Sequence, residues 1–223
     1  MAGLMRTMSK APFIVEEGQA LPPFDCRISL LSLPRRFWAA HGAVTAAPPY
    51  LHPPASKDWP RRIDAGAKMT VGLCWAGRPS HADDFKRSMD LDRLRPLMDI
   101  PELRLFSLQI DNPEPGPKAL PDCVTDLGPE LESFLDTAQA IAALDLVITV
   151  DTALAHLAGA LGKPVWVMLA KTPDWRWGMA GERTPWYPSM RLFRQSRPGD
   201  WPEVIGRISA ALRRGQASSG RGT

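Results

Sequence analysis

Cysteine is scarce in this 223-residue chain. Cys26, Cys74 and Cys123 lie far apart, with no C-x-x-C among them. That spacing argues against a disulfide framework or a cysteine zinc site and fits a reducing setting. Long apolar runs are also missing: none approaches the ~20 residues that cross a bilayer. Early positive charge is not followed by a leader-type apolar stretch, because Pro12 and Glu16-Glu17 interrupt it. Concentrated positive charge is absent as well. The net charge is +3, and no segment gathers Lys and Arg without acids between them, so a nucleic-acid partner is not expected. The chain contains no G-x-G-x-x-G, no G-x-x-x-x-G-K-[ST] and no G-x-S-x-G. Those absences argue against dinucleotide dehydrogenases, P-loop NTPases and α/β-hydrolases. No internal repeat is visible. A cytoplasmic protein that stays out of the membrane is the expectation.

Proline, by contrast, is plentiful. There are 23 prolines, nine of them among the first 60 residues, and overall usage is about twice the ~5% average. Residues 28–38 are apolar enough for a strand end or short helix, whereas the proline-rich run at 46–54 cannot be helical. Residues 1–68 therefore read as an irregular arm, or as the remnant of another domain. Residues 215–223 read as a disordered tail.

Regular patterning begins at Met69. Residues 69–77, 103–109, 123–125, 146–150, 165–169 and 190–193 read as strands. Residues 91–98, 132–144, 152–160 and 202–212 read as helices, the last with Asp200 as its cap. Strands alternate with helices, so residues 69–214 predict a doubly wound, mostly parallel, Rossmann-like α/β domain. Within it, DLVITVDTALAHLAGALGKPVWVML (145–169) is a strand-helix-strand unit.

In such a sheet, ligands bind beyond the carboxyl ends of the strands. Asp151, Thr152 and His156 sit at one such end. If Asp151 caps the helix, Thr152 and His156 share a face one turn apart. A hydroxyl, unpaired amides and an imidazole then meet one anion. The same residues are also consistent with a plain cap and a half-buried histidine. The small residues Ala153, Ala155, Ala158, Gly159 and Ala160 favour close packing of this helix against the sheet. The loop at 77–88 follows the first strand: Gly77 permits close backbone approach, and Lys86 and Arg87 could neutralise a diphosphate. Asp83 and Asp84 could equally balance those cations in a solvated loop, or, with His81, offer hard metal ligands. Gln109 ends the second strand and points to the same edge, or serves as a loop-capping amide. Leu127 precedes a helix where an apolar side chain could meet a base, and a plain turn explains it equally well. Four aromatic residues, Trp175, Trp177, Trp186 and Tyr187, crowd a loop at 173–188. They suit sugar or base platforms, or pin the loop onto the domain.

The segment DTALAHLAGALGKPVW resembles the strand-helix junction of GT-B glycosyltransferases related to the heptosyltransferases, glycosyltransferase family 9. Further matching pieces are LLSLPRRF (30–37), VGLCWAG (71–77), RS (87–88), SLQ (107–109), PDWRW (173–177) and PWYPSMRLFRQ (185–195). The wording is closest to a bacterial group in which this domain follows tetratricopeptide repeats. The resemblance implies a GT-B carboxyl-terminal domain that holds a nucleotide-diphosphate sugar and serves inverting transfer without a required metal or other cofactor. By position, Asp151, Thr152, Ala153 and His156 would meet the diphosphate and sugar, with His156 stabilising the leaving group. Gly77 and Arg87 would form the diphosphate loop, and Gln109 and Leu127 would contact ribose and base. The resemblance does not name the acceptor, which would be a glycan or protein, and membrane contact is implied only through a lipid-linked acceptor. The chain departs from the pattern in two respects. Ala153 replaces a glycine, as it does in the repeat-linked group, and residues 1–68 leave room for only the last part of a GT-B amino-terminal domain. A binding module without catalysis, or an inactive truncated fragment, is therefore the alternative expectation.

Overall fold

A computed structural model describes residues 1–8, 13–41, 48–56, 58–64, 66, 68–110 and 120–215. Most of the proline-rich loop expected at 111–121, and nearly all of the tail expected at 215–223, lie outside the described residues. Six strands form one sheet: β1 (Met69–Cys74), β2 (Leu103–Ser107), β3 (Val124–Asp126), β4 (Leu146–Val150), β5 (Val165–Leu169) and β6 (Met190–Arg194). Their spatial order is β3-β2-β1-β4-β5-β6, and every pairing is parallel. Strand order reverses between β1 and β4, so the connections that leave their carboxyl ends run to opposite faces of the sheet and open a crevice.

Helices cover both faces. In chain order they are α1 (Ala2–Met5), α2 (Leu33–His41), α3 (Asp58–Arg62), α4 (Asp84–Arg87), α5 (Arg95–Met98), α6 (Phe134–Ala143), α7 (Ala153–Ala160) and α8 (Trp201–Arg213). All five residues of β4 and of β5 are buried, as a strand covered on both faces requires. Alternation sorts their side chains. Val165, Val167 and Leu169 enter one core with Ile141 of α6 and Leu157 of α7, while Trp166 and Met168 enter the other with Leu97 of α5 and Ile205 of α8. Among the helix starts, α6 has a full capping box from Ser133 and Asp136, and Asp200 caps α8 by accepting from the Glu203 amide.

The amino-terminal arm is less irregular than expected. Its described residues include the short helices α1, α2 and α3 and a 3-10 turn at Leu30–Ser32. Leu4, Leu51, Trp59 and Ile63 are buried in the same core as α6 and α7. Backbone amides of Tyr50 and Leu51 both donate to the Ala160 carbonyl at the end of α7, and Gln139 donates to the Pro54 carbonyl at 2.9 Å. Helices this short are not stable alone, so tertiary packing, invisible to local periodicity, holds them. Around α2 the surface is the reverse: Leu30, Leu31, Phe37 and Trp38 are all exposed.

Candidate functional site

Of the residues singled out by the sequence, the crevice between β1 and β4 contains Gly77, Arg87, Asp151, Thr152, Ala153 and His156. Its construction starts with α7. Thr152, not Asp151, is the N-cap, in extended backbone and without a side-chain cap bond. Its hydroxyl instead lies 3.2 Å from that of Thr149. The expectation that Asp151 caps this helix is thereby corrected. The Asp151 carbonyl turns toward Arg87 and accepts from Nη1 at 2.8 Å. Amides in the first turn of α7, those of Ala153 and Leu154, have no helical acceptor and face the crevice end of the helix.

Across the turning point, Asp84 organises the loop after β1. Though only 6% exposed, its carboxylate accepts from Arg87 Nε at 3.0 Å and from the Ser88 hydroxyl at 2.8 Å. Ser88 in turn accepts from the Gly77 amide at 2.8 Å. A Cβ at Gly77 would stand 2.5 Å from the Asp84 carboxylate and 2.6 Å from the Arg87 guanidinium, so glycine is needed for this close approach. Lys86 Nζ pairs with Asp83 at 2.5 Å, and Lys86 holds the Asp83 carboxyl below its usual range. The two acidic residues thus balance the two basic ones. Among the described residues, no group of three or more His, Cys, Asp or Glu gathers as a metal site.

These parts wall a cleft of about 310 Å³. Lys86, Arg87 and Arg176 bring positive charge, Thr152 and Ala153 bring the start of α7, and His156 forms part of the wall. Arg176 was missed in the sequence, although the carboxyl-edge argument used for β4 applies equally to β5. The loop after β5 puts Asp174 and Arg176, paired at 2.8 Å, on the opposite side of the cleft.

His156 is held between aromatic rings. It stacks on Trp177 with centroids 4.9 Å apart and meets the edge of Tyr187 at 5.8 Å. Nδ1 lies 3.2 Å from the Tyr187 hydroxyl. Burial, followed by smaller and mixed contributions from Asp151, Arg176 and Asp174, pulls its pKa below the ordinary 6.5, so the ring is neutral at neutral pH. Burial likewise raises the Tyr187 hydroxyl.

A second cavity of about 280 Å³ adjoins the first and shares Arg87, Thr152 and Ala153 with it. Gln109, Ile110, Phe134 and Leu157 supply its more apolar wall. Gln109 serves mainly the loop after β1. Its Oε1 accepts from the Ala76 amide at 3.1 Å and its Nε2 donates to the Ala76 carbonyl at 3.2 Å. The Leu127 side chain is 2% exposed and packs in the core, so the structure does not bring it to either cavity.

The aromatic loop divides its roles. Trp177 and Tyr187 are buried and pin it, while Trp175 is 58% exposed. Trp186 Nε1 donates to the Arg176 carbonyl at 2.8 Å. The Arg194 guanidinium donates to the carbonyls of Trp177, Gly178, Ala180 and Gly181. One charged fork therefore shapes this whole β5–β6 crossover, which lacks an α-helix.

Residues 116–203 match the sequence model of Glycosyltransferase family 9 (heptosyltransferase). Protein FlbA of Caulobacter vibrioides is 30% identical over 165 residues, covering 70% of this chain and 27% of its own length. Three solved structures are similar. The E. coli heptosyltransferase WaaC with ADP has a TM-score of 0.43 at 15% identity, over 72% of this chain and 47% of its own. A glycosyl transferase family 9 structure from Veillonella parvula has a TM-score of 0.43 at 12% identity, over 73% and 46%. The KpsC β-Kdo 2,4 transferase of Thermosulfurimonas dismutans has a TM-score of 0.38 at 15% identity, over 91% and 58%. The chain thus spans about a quarter of the curated relative it matches and roughly half of the first two solved chains. The family match falls within the α/β domain and includes β4, α7 and β5.

Proposed function

We propose that this chain is a glycosyltransferase-type domain whose cleft holds the diphosphate of a nucleotide-sugar donor. The observation that carries the reading is convergence. The first turn of α7, Lys86, Arg87, Arg176 and His156 all meet one cleft of about 310 Å³. Unpaired amides and a helix N-terminus favour negative charge, and guanidinium forks suit phosphate oxygens. The adjoining cavity, with its more apolar wall, suits the nucleoside.

In the reaction, an acceptor oxygen attacks the anomeric carbon as the bond from that carbon to the diphosphate breaks. Negative charge grows on the departing diphosphate, where Arg87, the α7 amides and His156 stabilise it. A neutral His156 acts there as a hydrogen-bond donor rather than as a cation. The same reading includes the resemblance's finer features: inversion without a required metal, a glycan or protein acceptor, a cytoplasmic setting and kinship with the repeat-linked group. Among the described residues, no helix is long and apolar enough to cross a membrane.

A binding module without turnover is the second reading, and one observation favours it. Asp83, Asp84 and Asp174 are each paired with a cation, so their oxygens are already engaged and are not free to take an acceptor's proton. Calorimetric titration with nucleoside diphosphates, beside an assay for diphosphate release from nucleotide sugars, separates the readings. Saturable binding with release supports the enzyme, and binding without release supports the module. Absence of binding overturns both.

A further inference from the structure

His156 has two ring nitrogens, and the residues around it determine which one faces the cleft. Nδ1 lies 3.2 Å from the Tyr187 hydroxyl. Phenol is the more acidic hydrogen-bond donor of such a pair, and imidazole nitrogen is the more basic acceptor, so the shared proton belongs to the phenol side. The rings cannot easily rearrange. Trp177 stacks against the imidazole at an interplanar angle of 17°, and Tyr187 meets it at 60°. Tyr187 is itself seated on α7. Gly159, on the same face one turn beyond His156, lies so close that a Cβ there would stand 2.5 Å from Cγ of the tyrosine ring. On the far side, Tyr50 packs against the same core as Tyr187, and it is anchored by its own amide to the Ala160 carbonyl at 3.0 Å. Aromatic loop and α7 therefore meet at one hydroxyl.

We infer that Tyr187 is a positioning residue: by donating to Nδ1 it keeps the imidazole proton on Nε2, the nitrogen left for the cleft. This gives His156 a fixed donor for an anion without requiring a charged ring. The usefulness of that donor rests on the reading of the cleft as a diphosphate site, whereas the tautomer itself can be measured without it.

Nitrogen-15 NMR of the full chain labelled at its histidines tests the assignment, with His156→Gln identifying the His156 signals among four histidines. The wild-type ring is expected to carry its proton on Nε2 and a bare Nδ1. Tyr187→Phe retains the ring over Gly159 and removes only the hydroxyl, and both tautomers should then appear. A wild-type proton on Nδ1 overturns the assignment, and that spectrum alone decides if Tyr187→Phe does not fold. An unchanged tautomer in a folded Tyr187→Phe overturns it as well. Adding inorganic pyrophosphate to the wild type should shift the Nε2 proton. No shift contradicts the anion cleft but leaves the tautomer result standing, so the two failures are distinguishable.

Discussion

Arg87 Nη1 donates to the Asp151 carbonyl oxygen at 2.8 Å, joining the loop after β1 to the start of α7 across the point where the sheet order reverses. The same guanidinium is oriented by Asp84 at 3.0 Å. One side chain therefore both closes the crevice and charges it.

Arg87→Lys keeps the charge but loses the fork. A hydrogen bond to a charged group is worth about 1.5–3 kcal/mol, so nucleoside diphosphate affinity should fall by roughly 10- to 100-fold. Calorimetry checks this. Unchanged affinity in Arg87→Lys and in Arg87→Ala would remove Arg87 from the site.

Burial lowers the pKa of His156 below its ordinary 6.5, and the sign of the linkage follows. Above pH 6.5 the ring is neutral in both folded and unfolded chains and contributes no pH dependence. As pH falls below 6.5 the unfolded chain takes the proton first. Stability is then lost until the folded ring protonates too. Chemical denaturation at about pH 7.5 and about pH 5.5 should show a larger acid loss for wild type than for His156→Gln. Equal losses would contradict the shift.

Two helical glycines should respond oppositely to alanine. At Gly159 the new methyl meets the Tyr187 ring at 2.5 Å, and overpacking of this kind costs about 1–3 kcal/mol. At Gly206, within α8 and exposed, nothing lies within 4 Å, so the gain in helix propensity should stabilise by about 0.5–1 kcal/mol. Denaturant midpoints of the two variants test the contrast. Stabilisation by Gly159→Ala would argue against the tyrosine packing.

Arg194→Ala removes the fork that gathers four carbonyls of the aromatic loop. A loss of about 2 kcal/mol is expected, with faster proteolysis between Trp175 and Tyr187 and altered tryptophan fluorescence. If the cleavage pattern matches the wild type, something else shapes the loop.

Much of this architecture was legible in the sequence, for local reasons. β4 and β5 are buried on both faces, so each is a short unbroken apolar run, and the helix between them lies in the same reading frame. Asp200 was recognisable as a cap because it stands directly before an amphipathic pattern. The cap of α7 was misassigned because Asp151 and Thr152 are both good N-cap types, and the choice depends on Arg87, 64 residues away. The small residues of α7 were attributed to the sheet, yet Gly159 accommodates Tyr187. Burial of Leu4, Leu51, Trp59 and Ile63 was not readable, since contacts with α6 and α7 create it. Leu127 was placed at a base because it precedes a helix, but its apolar side chain faces the core. Arg176 carries no local signal, because the tryptophans on either side of it suit stacking and only the course of the loop after β5 brings its charge to the cleft.

The central claim is that the first turn of α7 receives a diphosphate. Amide chemical-shift mapping with a nucleoside diphosphate tests it most directly. The account predicts the largest saturable shifts at Ala153 and Leu154, with Arg87 and Arg176 side-chain signals moving alongside. Saturable shifts confined to residues away from α7, or none at α7 when ligand is in excess, would contradict it.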